Sequence, residues 1–197
     1  DGPPALVIPG FLATDRTTMD LRRALARAGW RAHPWLLGMN LGARSDTLDL
    51  LERRINDLRN GRKVLLVGWS LGGMFARQLA HRCPKKVRGV VTLGSPFSGD
   101  LKTNTNVREL YERIAGHDVN EPPFPRLTAK PPVPTLALWG RRDGIVAPSA
   151  ARGRQVTEAC QHAGIRVPDE IAVLGGDYDE QMSTISRPPL STMSRAA

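Results

Sequence analysis

The stretch that decides the fold runs from Lys63 to Ala80, KVLLVGWSLGGMFARQLA. Its apolar start, residues 64–67, has the length of a buried strand, and apolar residues recur at helical spacing after position 73. Between them, Gly68-Trp69-Ser70-Leu71-Gly72 is the G-x-S-x-G pattern of a strand-to-helix turn with a serine nucleophile at its tip. The turn strains the serine backbone, and Gly68 and Gly72 remove bulk that would clash. We call residues 68–72 the elbow. The alternative is a glycine-rich turn with an inert serine.

The composition is that of one globular domain. The 197 residues are 41% hydrophobic and 24% charged, which allows a full core, so residues 1–197 are treated as a single domain. No apolar run approaches the roughly 18 residues that would predict a membrane span. The two cysteines, Cys83 and Cys160, are too few for a disulfide framework, and neither lies at the spacing of metal ligands. Both are expected to be free thiols, and no metal site and no cofactor are predicted.

The chain is basic, with a formal charge of +9. Such a charge attracts nucleic acid or an acidic membrane surface. However, the arginines are scattered along predicted helices, and no basic cluster interleaves with the ten aromatic residues. We therefore expect the arginines to lie on solvated helix faces, with no specific nucleic-acid partner. Whether the protein forms a homo-oligomer is left open. There is no signal-peptide pattern, so cytoplasmic is the default, with secretion open if a segment before Asp1 is removed.

Strand-like and helix-like segments alternate along the chain, which favours a mostly parallel α/β sheet with helices on both faces. About six strands are predicted, at residues 5–8, 30–35, 63–67, 87–93, 135–139 and 171–174. Helices are predicted at residues 17–28, 46–58, 107–115 and 149–163, besides the helix that follows the elbow and ends at Cys83. Residues 95–133 interrupt the alternation and are rich in proline. A long insertion at the carboxyl end of a strand is typical of a lid, and a structural excursion is the alternative.

A serine nucleophile needs donors for the oxyanion. One candidate is the backbone N–H of Leu71, at the start of the elbow helix. The other is the N–H of Phe11, where Pro9-Gly10 lets the chain turn sharply after the first strand. Taken alone, Pro9-Gly10 is equally an ordinary turn.

The serine also needs a base and an acid that orients the base. Asp143 follows the fifth predicted strand and is the candidate acid, although Asp-Gly is also a common turn. No histidine follows the last predicted strand, since none lies beyond His162. Of the four histidines, only His117, in the insertion, lies at the predicted site end of the sheet. It is the candidate substitute base, and a solvated loop histidine is the alternative.

Residues 5–153 resemble an α/β-hydrolase of the bacterial lipase or esterase type. The matching pieces are Val7–Phe11, Gly68–Gly73, Val91–Phe97 and Arg142–Val146. The resemblance implies a minimal α/β-hydrolase fold that lacks the usual first two antiparallel strands. It further implies a serine carboxylesterase or lipase that hydrolyses a small ester or lipid through an acyl-enzyme, with Ser70 as nucleophile and Asp143 as acid. The absent histidine implies impaired activity, or a catalytically dead hydrolase fold that binds ligands.

Residues 155–193 resemble instead part of the sugar-binding domain of lactose-repressor-type transcription factors. The stretch GIRVPDEIAVLG and the ending PPLST carry this resemblance. The junction falls near Gly153, which suggests a chimera in which residues 154–197 complete the sheet without supplying the base. A sugar-responsive or nucleic-acid-binding regulator is a third, weaker hypothesis, because no helix-turn-helix is evident.

Overall fold

The computed structural model describes residues 2–96, 108–125, 127, 129–139, 171–175 and 191–192. Within these residues the fold is a parallel sheet flanked by helices. Its strands are β1 (Pro4–Ile8), β2 (Arg31–Pro34), β3 (Val64–Trp69), β4 (Val87–Leu93), β5 (Thr135–Trp139), β6 (Ile171–Gly175) and β7 (Ser191–Thr192). They lie in the order β2-β1-β3-β4-β5-β6-β7. Every neighbouring pair is parallel.

The six predicted strands are confirmed, with small differences in their bounds. The sequence ends the third strand at Val67, whereas β3 continues through Gly68 and Trp69, which pair with Thr92 and Leu93. The strand therefore runs directly into the elbow. The two-residue strand β7 was not predicted, because two residues show no periodicity.

Four helices are described: α1 (Met19–Arg27), α2 (Thr47–Arg59), α3 (Leu71–Arg82) and α4 (Arg108–Ala115). Along the sheet, the connection from β1 to β2 runs in one direction. The connections from β2 to β3 and from β3 to β4 run in the opposite direction. Right-handed crossovers then place α1 on one face of the sheet and α2 and α3 on the opposite face. Helices on both faces were predicted. The helix predicted at 149–163 lies outside the described residues.

The core fills the space between the sheet and the pair α2 and α3. Fully buried apolar side chains come from all three layers, among them Leu6, Ile8, Leu51, Ile55, Phe75 and Leu79. Those of α2 recur at three- and four-residue spacing, which places them on one helix face. By contrast, α1 buries no residue. The core therefore holds α3, and the elbow that precedes it, firmly against the sheet.

The described part of the proline-rich insertion packs along α3 and over the turn that follows β1. The Phe75 and Phe124 rings lie edge-on with centroids 6.3 Å apart. Farther along α3, the Gln78 side chain bonds the Leu127 backbone and the Arg77 guanidinium donates to the Ala129 carbonyl at 2.9 Å. The insertion is thus fixed to the same helix that begins at the elbow. Among the described residues, no helix is long and apolar enough to cross a membrane.

Candidate active site

The elbow has the strained backbone that its sequence predicts. Ser70 has φ 51° and ψ −118°, a conformation rare for a residue with a side chain. The Ser70 N–H donates to the Leu93 carbonyl at 2.8 Å, and the Ser70 carbonyl accepts from the Gly73 N–H at 3.0 Å. Strain of this kind persists where the surroundings enforce it, and it concentrates at functional sites.

The two elbow glycines are required by close backbone approach. A Cβ at Gly68 would lie 2.3 Å from the Gly72 carbonyl oxygen. A Cβ at Gly72 would lie 2.2 Å from the Ile8 carbonyl oxygen. The absence of side chains at both positions lets α3 begin directly against the ends of β1 and β3.

The predicted oxyanion donors come from two segments that meet beside Ser70. A Cβ at Gly10 would lie 3.3 Å from the Ser70 Cβ, so the turn after β1 passes next to the serine. Leu71 is the first residue of α3, where backbone N–H groups have no partner inside the helix. Strand order reverses between β1 and β3, and open α/β sheets place ligands at that point. The structure thus brings together Ser70, Leu71 and the turn that carries Phe11.

Asn40, a residue that the sequence analysis missed, fixes this turn from behind. Its side chain is 1% exposed and donates to the Pro9 carbonyl at 2.9 Å. Its backbone pairs with Leu12 and Ala13 at 2.7 and 2.9 Å, and its side-chain oxygen accepts from the Gly42 N–H. The contact with Gly42 is local, but nothing local in the sequence predicts the contacts with Pro9, Leu12 and Ala13, because they join segments about 30 residues apart.

The insertion helix α4 covers the same turn through Tyr111. The Tyr111 ring packs on Phe11 with centroids 5.1 Å apart, and the hydroxyl accepts from the Ala43 N–H at 3.2 Å. Burial raises the pKa of the Tyr111 phenol above its ordinary value. A cavity of about 20 Å³, room for roughly one water, lies against Tyr111, and its lining is mostly apolar, with Leu71 and Phe124 beside the polar side chain of Gln78.

Tyr111 separates His117 from the predicted oxyanion turn, because the Tyr111 ring contacts Phe11 and the His117 ring contacts Tyr111. Its Nδ1 lies 2.8 Å from the Asp118 carbonyl oxygen, and its Nε2 lies 2.9 Å from the Ala43 carbonyl oxygen and 3.4 Å from the Tyr111 hydroxyl. In these contacts His117 ties the insertion to the loop after β2. It is half-buried, which differs from the solvated loop histidine considered above.

The other candidate groups lie elsewhere. His33 lies on the edge strand β2, where burial and the nearby Arg31 and Arg54 lower its pKa. The His81 ring contacts the Ala129 carbonyl, near the end of α3. Asp143 and His162 lie outside the described residues.

Comparison with solved structures identifies the fold class. A monoacylglycerol lipase from Paleococcus ferrophilus is similar with a TM-score of 0.54 and 17% identity, over 88% of this chain and 85% of that one. The naproxen esterase of Bacillus subtilis is similar with a TM-score of 0.53 and 20% identity, over 95% and 80%. The chain has an α/β-hydrolase fold.

Sequence comparison adds a second relationship. Residues 79–197 match the sequence model of the family described as the periplasmic binding protein-like domain. Across that range the chain belongs to this family, and the range includes the 155–193 stretch that resembles a repressor domain. It begins within α3, so the elbow and the turn after β1 lie outside it.

Two curated relatives match over short lengths. The xylose operon regulatory protein of Haemophilus influenzae is 40% identical over 50 residues, which are 25% of this chain and 13% of that protein. The pimeloyl-[acyl-carrier protein] methyl ester esterase of Shewanella woodyi is 44% identical over 50 residues, 25% of this chain and 19% of that protein. The matches thus span less than a fifth of either relative.

Proposed function

We propose that this protein is a carboxylic ester hydrolase that acts on a small ester or lipid through Ser70. The observation that carries the proposal is the backbone of Ser70, which is held at φ 51° at the start of α3 with the Gly10 backbone against it. The fold of lipases and esterases supports the same reaction class.

In the proposed reaction, the Ser70 hydroxyl oxygen attacks the ester carbonyl carbon. The tetrahedral intermediate places its negative oxygen toward the N–H groups of Phe11 and Leu71. Collapse expels the alcohol, which takes the proton that the base removed from Ser70, and leaves Ser70 acylated. Water then attacks the acyl-enzyme, releasing the acid and restoring the serine. Asp143 is proposed as the acid that orients the base.

His117 is proposed as the base that takes the proton of Ser70. In the structure its Nε2 faces the Ala43 carbonyl, so it must leave that contact to accept a proton. The His117 ring lies edge-on to Tyr111 with centroids 5.5 Å apart, and Tyr111 packs on Phe11, so the imidazole lies beside the predicted oxyanion turn. His117→Ala should lower kcat/KM by at least about hundredfold. Activity within a few-fold of wild type, with the same pH profile, would show that another group acts.

A second candidate function is ligand binding without turnover. It is favoured by the sequence after Leu174, which has no histidine, and by the match of residues 79–197 to a binding-domain family. A fused origin for the chain would account for both. Introducing an imidazole by Tyr178→His or Asp179→His tests this alternative. A large gain in esterase rate would show that the missing base was the defect.

Covalent labelling tests the nucleophile directly. The protein is incubated with a fluorophosphonate, and the labelled peptide is identified by mass spectrometry beside the Ser70→Ala variant. We expect one adduct on Ser70, none in the variant, and hydrolysis of p-nitrophenyl acetate that the variant lacks. The absence of both adduct and hydrolysis in the wild type would exclude the esterase and favour the binding protein.

A further inference from the structure

Cationic side chains gather at the amino ends of the strands, the edge of the sheet opposite Ser70. Because the strands are parallel, the segments that lead into them share this edge. The segments leading into β2, β3, β4 and β5 hold nine lysines and arginines and no acidic residue: residues 27–31, 59–63, 84–88 and 130–134. They are far apart in the sequence, and only the sheet brings them together.

Contacts between these segments make the edge one continuous surface. The Val64 N–H donates to the Lys86 carbonyl at 2.9 Å, which joins the starts of β3 and β4. The Arg88 guanidinium carbon lies 5.7 Å from the centroid of the Trp30 ring, which joins β4 to the segment before β2. Neighbouring strands lie about 4.8 Å apart, so the row from β2 to β5 in the order β2-β1-β3-β4-β5 is about 19 Å long.

Five cations of this edge have no acidic partner within the described part of the chain. We call them the basic rim: Arg27, Arg59, Lys63, Lys85 and Arg88. Four are exposed and Arg59 is half-buried. Lys86 is left out, because it pairs with Glu52 at 2.7 Å. Asp57 lies two residues before Arg59 on α2, and residues at that spacing do not face each other on a helix.

The helix ends offset only part of this charge. The helices α1, α2 and α3 all end at this edge, and the carboxyl end of a helix is equivalent to about −0.5 charge. Three ends therefore offset about 1.5 of the five rim charges, and about 3.5 remain. This excess indicates an anionic partner from outside the chain.

The shape of the rim indicates which anionic partner it fits. A row of cations is complementary to a linear polyanion, and duplex DNA carries one charge per about 1.7 Å of its axis, or about eleven along 19 Å. Docking on a lipid surface adds apolar side chains that enter the acyl boundary. Among the described residues, the large exposed apolar side chains all lie outside these four segments. The observations therefore favour nucleic acid.

We propose that the basic rim binds the phosphate backbone of nucleic acid without regard to base sequence, with the Ser70 edge facing away from it. Binding of this kind contacts phosphates and reads no bases. It needs no catalysis, so it holds or fails independently of the proposed esterase activity.

Fluorescence anisotropy with labelled DNA duplexes tests the proposal. The full chain is titrated into two duplexes of unrelated sequence, each of about 20 base pairs, between about 50 and 200 mM salt. We expect equal affinity for both, with log K falling against log salt at a slope of about −4.5, which is five contacts at about 0.9 each. An RNA duplex of the same length distinguishes the two sources of phosphate, and tighter binding to either one supports the proposal.

A matched pair of variants separates the rim from the net charge. Lys63→Gln with Lys85→Gln should lower the slope by about 2 and weaken binding to both duplexes by at least about tenfold at low salt. Arg16→Gln with Arg113→Gln removes the same charge from exposed positions near the Ser70 edge and should leave the slope unchanged. All four positions are exposed, so thermal unfolding should match the wild type. Lys85→Gln alone should lower the slope by about 1.

Three results would overturn the proposal. The first is a wild type that does not bind at low salt, or two variant pairs that lower the slope equally, since net charge alone would then hold the DNA. The second is a preference of more than about tenfold for one duplex, since bases would then be read. The third is tighter binding, at equal phosphate concentration, to vesicles of phosphatidylcholine with phosphatidylglycerol that Lys63→Gln with Lys85→Gln weakens, since the rim would then be a membrane surface.

Discussion

The Gly72→Ala variant tests whether the elbow and the end of β1 are as closely packed as the structure has them. The new Cβ would lie 2.2 Å from the Ile8 carbonyl oxygen and 2.7 Å from the Pro9 carbonyl oxygen. Ordinary van der Waals contact begins near 3.4 Å. One backbone must therefore move by about 1.2 Å, the difference between 3.4 and 2.2 Å.

Neither backbone has an easy way to move. Ile8 ends a strand paired on one side with β2 and on the other with β3, and its side chain is fully buried. Forcing extra volume into such packing costs about 3 kcal/mol, the upper end of the usual range. Alanine in place of glycine within a helix returns up to about 1 kcal/mol. We therefore expect a net loss near 2 kcal/mol, or about 4–8 °C in Tm for a chain of this size.

The displacement should damage the site more than the fold. A shift of about 1 Å between the Phe11 and Leu71 N–H groups can slow a reaction roughly hundredfold. Urea unfolding followed by circular dichroism gives the stability, and the fluorophosphonate labelling rate of Ser70 reports the site. Gly61→Ala is the control, because φ is +76° there and no atom lies within 4 Å of the Cβ position. It should lose about 1 kcal/mol from backbone strain alone and label normally. The inferred packing is wrong if the free energy of unfolding of Gly72→Ala lies within about 0.5 kcal/mol of the wild-type value and Ser70 is labelled at the wild-type rate.

Three further variants test two contacts around the site and one between α2 and the connection that follows α3. Asn40→Ala leaves two buried backbone groups of the turn region unpaired, so urea unfolding should show a loss of about 2 kcal/mol and labelling of the serine should slow. Tyr111→Phe removes the acceptor for a backbone N–H under the insertion and should cost about 1 kcal/mol, measured in the same way. The hydrogen bond from Lys86 is the main cause of the lowered pKa of Glu52. Because the folded-state pKa is lowered, the interaction stabilises the fold at pH values above the unfolded-state pKa of Glu52. This stabilisation is lost as the pH falls through the folded-state pKa. Glu52→Gln should cost about 1 kcal/mol at pH 7, and a urea series should show the gap closing below about pH 4.

The strands and the elbow could be predicted because their causes are local. Apolar runs of strand length, glycine two residues before and after Ser70, and an apolar pattern at helical spacing all lie within single segments. The backbone strain at Ser70 follows from the same short stretch. Fold class and the predicted nucleophile are therefore available from the sequence.

What the sequence did not predict depends on contacts between distant segments. Asn40 is an ordinary loop residue in the sequence, and only its approach to Pro9 makes it a support of the turn. Leu36, which has a positive φ, likewise donates its N–H to Asp15, about twenty residues away. His117 was predicted on its place in the chain, whereas its actual neighbours, Ala43 and Asp118, follow from how the insertion packs.

The sheet also explains how two sequence relationships can occupy one fold. Parallel pairing joins backbone to backbone, and Thr135 and Leu136 on β5 pair with Ile171 and Ala172 on β6 without regard to side-chain type. A helix and strand from any α/β protein can extend such an edge if its crossover has the right hand. Catalytic groups, however, come from the loops that follow the strands, and those loops are not interchangeable. A segment related to binding domains can therefore complete the sheet beyond β4 without supplying the imidazole that we propose comes from the insertion.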